Sequence, residues 1–167
     1  AKDIKKQIVA LGGNAIVVQA DITKISEISN MVSSILRKLN TITVLANCST
    51  SHLPNIKFQN LEWTDIQKQL DINILGTFNL LKNIPPVMID SKYGKVINIS
   101  TQAIEKINSD WSHYITAKSA LNGFSKALAL ELAPKGIRIN LVSPGMTDTD
   151  LVAKMHEKIK LLSAAQT

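Results

Sequence analysis

Lys95-Val-Ile-Asn-Ile-Ser-Thr101, followed after residues 102–111 by Ser112-His-Tyr-Ile-Thr-Ala-Lys118, is the stretch that decides the fold. Residues 95–99 form a short apolar, β-branched run and read as a buried strand that passes straight into Ser100-Thr101. The segment from 112 to about 132 places Ala117, Leu121, Phe124, Leu128 and Leu132 on one side, which is helical spacing. On such a helix Tyr114 and Lys118, four residues apart, lie one above the other. A cation beside a phenol favours the phenolate, so the pair is expected to lower the Tyr114 pKa and suit it to carbonyl chemistry.

The alternation continues on both sides. Upstream, residues 1–11 read as the end of an amphipathic helix with Ile4, Ile8 and Leu11 on one face, closed by Gly12-Gly13. Residues 15–19 read as a buried strand and Asp21-Ile-Thr23 as a turn. A helix over about 26–39 follows, capped by Thr23 or Ser26, with Ile28, Met31, Val32, Ile35 and Leu39 as its buried stripe. Residues 42–46 make a second strand, leading into the polar loop Asn47-Cys-Ser-Thr-Ser-His52. The spacing then predicts one helix over 64–84, with Ile66, Leu70, Ile74, Phe78 and Leu81 buried and Pro85-Pro86 as its stop. Downstream, Pro134-Lys-Gly136 ends the Tyr114 helix, residues 137–142 form a fourth strand, Ser143-Pro-Gly145 turns the chain, and 150–167 is weakly amphipathic.

Strands that are apolar on both sides and alternate with helices predict an α/β fold, a parallel sheet with helices on both faces, in one domain over 1–167. Ligands of such sheets bind at the carboxyl ends of the strands. Asp21, Asn47 through Ser49, Ser100-Thr101 and Pro144 through Thr149 all follow predicted strands directly, so they are expected to share one crevice with Tyr114.

Composition narrows the class. At 167 residues, 45% hydrophobic and 19% charged, the chain suits one core. Its net charge of +6 comes from scattered lysines and aromatics make up 4%, so solvated helix faces are a better reading than nucleic-acid binding. No apolar run is long enough to cross a membrane, and the single cysteine, Cys48, excludes an internal disulfide; a cytoplasmic protein is expected. Cys48 reads as a small buried residue, His113 as pocket rim or solvent-facing, and His52, His113 and His156 are too scattered for a metal site.

Taken in order, these pieces resemble the short-chain dehydrogenase/reductase family, its ketoacyl reductase-like branch most of all. The residues that carry the resemblance are Leu11-Gly-Gly13, Asp21, Val44-Leu-Ala-Asn47, Asp71-Ile-Asn73 with Gly76, Asn98-Ile-Ser-Thr101, Tyr114-x-x-x-Lys118, Leu130-Glu-Leu-Ala133 and Ile137 through Gly145. The resemblance implies a three-layer Rossmann-like sheet, incomplete here at both ends, and an NAD- or NADP-dependent oxidoreductase acting on a ketone or 3-oxoacyl thioester. It implies that Tyr114 is the proton donor and that Lys118 lowers its pKa and bonds the nicotinamide ribose. Thr101, thirteen residues before the Tyr, would polarise the substrate carbonyl where the family usually has Ser, with Ser100 as the alternative hydroxyl. Asn73 would bend its helix and hold a water leading to Lys118. Cofactor contacts are implied for Asp21 and Ile22 at the adenine, for Asn47, for Pro144, Gly145 and Thr147 around the nicotinamide, and for Thr149. A homo-oligomer is implied through the helices at 64–84 and 112–132.

Two features depart from the family pattern. Its Asn-Asn-Ala-Gly loop is Ala46-Asn-Cys-Ser49 here, with a Cβ where the family has Gly, and its G-x-x-x-G-x-G phosphate loop occurs nowhere in the 167 residues. The sequence is expected to be the middle of a reductase: a fragment, a trimmed sequence or a degenerate relative. Plainer readings stand beside the catalytic ones: Tyr114 and Lys118 as a surface helix pair, Asn73 as an ordinary helix polar residue, Asp21 as a turn residue. The alternative function is a non-catalytic protein that keeps the fold for assembly.

Overall fold

The computed structural model describes residues 1–145 and 147. Nine elements of regular structure carry the description: helices α1 (Lys2–Ala10), α2 (Ile25–Leu39), α3 (Trp63–Leu70), α4 (Gly76–Asn83), α5 (Pro85–Asp90) and α6 (Ser112–Leu132), and strands β1 (Val44–Asn47), β2 (Gly94–Ile99) and β3 (Ile137–Val142). The expectations for Thr149 and for a helix over 150–167 lie outside the described residues.

The three strands form one parallel sheet in the order β1-β2-β3, with Asn47 opposite Asn98 and Ile99 opposite Val142. Moving one strand sideways in the same direction each time, with right-handed crossovers, puts the connecting helices on the same face. That face carries the core: Val96, Ile137 and Ile139 of the sheet pack with Ile28 and Val32 of α2, Leu80 and Leu81 of α4, Met88 of α5 and Leu132 of α6. This is a Rossmann-like parallel sheet with helices. Among the described residues the helical cover lies on that one face; Val44, Lys95, Arg138, Asn140 and Val142 on the other are exposed, and α1 buries no residue. No helix among the described residues is long and apolar enough to cross a membrane.

Three local expectations need correction. Residues 15–19 form no strand, and Val17 is exposed. β-branched residues favour a strand only where a ladder partner exists, and β1 pairs with β2 alone among the described strands. Neither Thr23 nor Ser26 caps α2: the N-cap is Lys24, without a side-chain cap, while the Glu27 carboxylate reaches back to accept the Asp21 N–H at 2.7 Å. The predicted helix over 64–84 is two α-helices joined by a π-turn at Asp71–Leu75. The extra residue in that turn rotates the buried face. Gln69, Asn73, Gly76, Thr77 and Leu80 face inward, while Phe78, predicted to be buried, is exposed. Pro85 opens α5 just beyond the end of α4, the break expected of Pro85-Pro86.

Candidate active site

α6 begins beside the carboxyl end of β2, and its first two turns carry Tyr114 and Lys118 on the buried face. Lys118 is 2% exposed, and its Nζ lies 6.0 Å from the centre of the Tyr114 ring while donating to the carbonyl of Ile99 at 2.8 Å. Burial lowers the Lys118 pKa from 10.5 to about 8. Tyr114 behaves contrary to the sequence-based expectation. Burial raises its pKa above the usual value of 10, and the nearby Thr101 hydroxyl offsets this only in part. The ammonium is turned to the strand carbonyl and not to the phenol, so desolvation of Tyr114 wins.

Thr101 follows β2, and its hydroxyl also accepts the Ala103 N–H at 3.1 Å. It is therefore fixed next to the phenol by its own local turn. Ser100, the alternative hydroxyl, points elsewhere, to Asn122 Oδ1 at 2.6 Å.

Asn73 sits in the π-turn, 1% exposed. Its Nδ2 donates to the Gln69 carbonyl at 2.9 Å and its backbone carbonyl accepts the Thr77 hydroxyl at 2.7 Å, but its Oδ1 is buried with no partner. A buried acceptor left open is costly, and it fits an ordered water. The helix is thus distorted at Asn73.

The residues expected at the cofactor divide. Asn47 is spent within the fold: its Nδ2 donates to Thr77 Oγ1 at 2.9 Å and Asn98 Oδ1 at 3.2 Å, and its Oδ1 accepts the Ser49 hydroxyl at 2.6 Å. Any ligand contact at this position belongs to the backbone. Asp21 has the turn role, accepting the Thr23 N–H at 3.0 Å and hydroxyl at 2.8 Å; these bonds hold its carboxyl below the ordinary value. Ile22 turns its side chain to α4, so that a Cβ on Gly76 would lie 2.5 Å from its Cδ1. Pro144 and Gly145 extend beyond β3, where the Pro144 carbonyl accepts the Gln102 N–H at 3.0 Å and ties this end to the segment after Thr101. Thr147 is exposed beyond them.

Tyr114, Thr101 and Lys118 therefore lie together at the carboxyl edge of β2, and the π-turn that carries Asn73 packs against α6. The model of the short chain dehydrogenase family matches residues 1–160. The chain belongs to the short-chain dehydrogenase family. It is 31% identical over 156 residues to a 3-oxoacyl-[acyl-carrier-protein] reductase of Synechocystis sp., covering 93% of this chain and 63% of that protein. It is 32% identical over 150 residues to the protein of the same name in Bos taurus, covering 89% and 62%. A 7α-hydroxysteroid dehydrogenase solved with NADH and 7-oxo glycochenodeoxycholic acid superposes with a TM-score of 0.90 at 26% identity, covering 97% of this chain and 63% of that one. An NAD+-bound xylitol dehydrogenase gives 0.81 at 28%, covering 86% and 55%. This short-chain dehydrogenase sequence thus spans less than two thirds of the length of these relatives.

Several polar features of this short-chain dehydrogenase escaped the sequence reading. Asn98, 0% exposed, links Asn47 to Ser125 Oγ at 2.9 Å and so ties β1, β2 and α6 together. An amide two residues from Val96, on the same inward face of an apolar strand, was the available signal. His113 is not at a rim. It is 1% exposed, neither ring nitrogen has a hydrogen-bond partner, and burial lowers its pKa against the pull of Asp65. Cys48 is exposed, not buried. Trp111 donates its indole N–H to Asn55 Oδ1, a bond between residues 56 positions apart that no local pattern announces.

Proposed function

We propose that this chain carries the proton-handling half of an NAD(P)H-dependent carbonyl reductase acting on a ketone or 3-oxoacyl thioester. The observation that carries the reading is the buried Tyr114 phenol, with the Thr101 hydroxyl near it and a buried Lys118 one helical turn on. Two hydroxyls side by side can both bond one carbonyl oxygen, which orients and polarises it. Tyr114 keeps its proton at neutral pH, because burial holds it in the neutral form, and gives it up as negative charge develops on that oxygen. The Lys118 ammonium stabilises the phenolate left behind. A water on Asn73 Oδ1 offers a path for the returning proton.

The residues fit the ribose end of a nicotinamide cofactor. An ammonium has three N–H donors, and the structure gives Lys118 one acceptor, Ile99, so donors remain for ribose hydroxyls. Pro144, Gly145 and Thr147, beyond β3, would line the nicotinamide side. When bound, the reduced nicotinamide supplies the hydride. The phosphates would need residues other than these, since the 167 residues hold no G-x-x-x-G-x-G loop. NAD- or NADP-bound structures of relatives support the cofactor class without choosing between the two.

A homo-oligomer accompanies this reading. Trp63, Leu75 and Phe78 of the α3–α4 region and Leu130 of α6 are large apolar side chains left exposed on the two helices named for it. A cytoplasmic location agrees with the unpaired Cys48.

The test is Tyr114→Phe in the intact protein. Turnover of a 3-oxoacyl thioester should vanish while cofactor binding persists; turnover that survives would remove the proposed role.

A further inference from the structure

Three hydrogen bonds around the entrance to α6 are tied to one another. The indole N–H of Trp111 donates to Asn55, the Ile56 N–H donates to the Asp110 carbonyl at 3.0 Å, and the Gln69 amide donates to the His52 carbonyl at 2.9 Å. The segment 52–56 is thereby held at one end by α3 and at the other by the two residues before α6. Asp110 takes up a left-handed backbone (φ 67°), unusual for a residue other than Gly, Asn or Asp, and so turns Trp111 inward. Trp111 is 6% exposed and Leu53 8%, and with Tyr114 they form a small apolar cluster separate from the main core. Within it the Trp111 and Tyr114 rings meet edge to face, 6.2 Å between centres and 83° between planes. That geometry is the attractive arrangement for two aromatic quadrupoles and is directional.

The geometry points to Trp111 as a positioning residue: its tether to Asn55 holds the indole edge to face with the Tyr114 ring and so keeps the phenol oxygen beside Thr101. The inference rests on the catalytic reading of Tyr114 given above. The phenol oxygen lies near the Thr101 hydroxyl, and the ring could swing about its own side-chain bonds if its flank were empty. Lys118 lies near the ring, with its hydrogen bond made to Ile99. Trp111 supplies the missing wall, and Asn55 supplies the reason that the indole stays there. Segment 52–56 follows the carboxyl end of β1, so the same tether makes it the wall of the site on the Leu53 side. A carbonyl compound bound at Thr101 and Tyr114 would then meet Leu53 and Trp111, an apolar flank that suits an alkyl or acyl chain better than a polyol.

Fluorotyrosine-labelled intact protein tests this without relying on turnover. The 167 residues hold two tyrosines, Tyr93 and Tyr114, and each resonance is assigned by its loss in Tyr93→Phe or Tyr114→Phe. Asn55→Ala and Trp111→Leu should both displace the Tyr114 resonance and leave that of Tyr93 in place, while Asn55→Asp, which keeps an acceptor oxygen, should restore it. With acetoacetyl-coenzyme A and NADPH or NADH, the same two variants should lose roughly ten- to hundredfold in kcat with KM little changed, since misplacement of a reacting group by an ångström has that scale. Asn55 is exposed, so its substitution leaves the fold intact. An unmoved Tyr114 resonance in both variants, or a moved one with unchanged kcat, overturns the inference. Turnover surviving in Tyr114→Phe would instead overturn the catalytic reading, with the resonance shifts still standing.

Discussion

Lys118→Met is the perturbation for which the structure yields a worked magnitude. The ammonium is 2% exposed, and burial brings its pKa from 10.5 to about 8. At about 1.36 kcal/mol per pKa step this corresponds to ~3 kcal/mol of penalty on the charged form at pH 7. Met fills a similar unbranched volume without the charge, but leaves the Ile99 carbonyl without its donor, at a cost of ~1–3 kcal/mol. The net expectation at pH 7 is a variant more stable by about 1 kcal/mol, or ~2–4 °C in Tm for a domain of this size. The sign of the pH dependence is the sharper test. Because the folded pKa lies below the unfolded one, the native state binds fewer protons between pH 8 and 10.5. Wild-type stability therefore gains from this group as pH rises through that window, and below about pH 8 the contribution is level. Met gains nothing there. Urea unfolding of both proteins from pH 7 to 10.5 should show the variant's advantage disappear and reverse by about 3 kcal/mol in total. Titrations shared by the two proteins cancel in the difference. A stability difference independent of pH would refute the claim that Lys118 is held charged against its burial. The same variant should have no reductase activity, so that stability and function separate at one residue.

Further outcomes are expected at other positions. Thr101→Ser should retain most of the turnover and Thr101→Val should lose about a hundredfold or more, as expected for removal of a donor to a developing oxyanion; kcat with one substrate decides it. His113→Phe should flatten acid unfolding: the folded His113 pKa lies below 6.5, so stability is lost from this group as pH falls through 6.5 toward that lower value, and the variant lacks the loss. Chemical denaturation at pH 7 and 5 measures the difference. Gly136→Ala should destabilise by about 1 kcal/mol or more, because Gly136 has φ +79° and a Cβ there would collide with the Lys92 carbonyl oxygen; thermal unfolding shows it directly.

The parts of the fold legible in the sequence are those governed by local pattern. The apolar runs at 95–99 and 137–142 became β2 and β3, and the stripe through Ala117 and Leu121 became the inward face of α6. Pro85 and Gly136 marked their breaks because Pro lacks an N–H and Gly tolerates a left-handed turn. Residues 15–19 failed because a strand is a pairing, and the partner is not among the described strands. The stripe through Phe78 failed because the π-turn at Asn73 shifts the helix by a residue, which a fixed period of 3.6 does not anticipate. For the proposed site, the sequence pointed to Tyr114, Lys118, Thr101 and Asn73 but not to the electrostatics around them. The Tyr-x-x-x-Lys spacing suggested a phenol acidified by its neighbour, yet burial raises its pKa.

The sequence by itself determined membership in the short-chain dehydrogenase family, the alternation of strand and helix, and which side chains share the face of α6, since each depends on residue order and the helical repeat. Tertiary structure decided what those side chains experience. It turned Lys118 to the Ile99 carbonyl and Ser100 to Asn122, spent Asn47 inside a polar network and fastened Trp111 to Asn55. Desolvation and hydrogen-bond direction depend on which distant segments close over a group, and that information lies in the packing of the chain and not in any local run of residues.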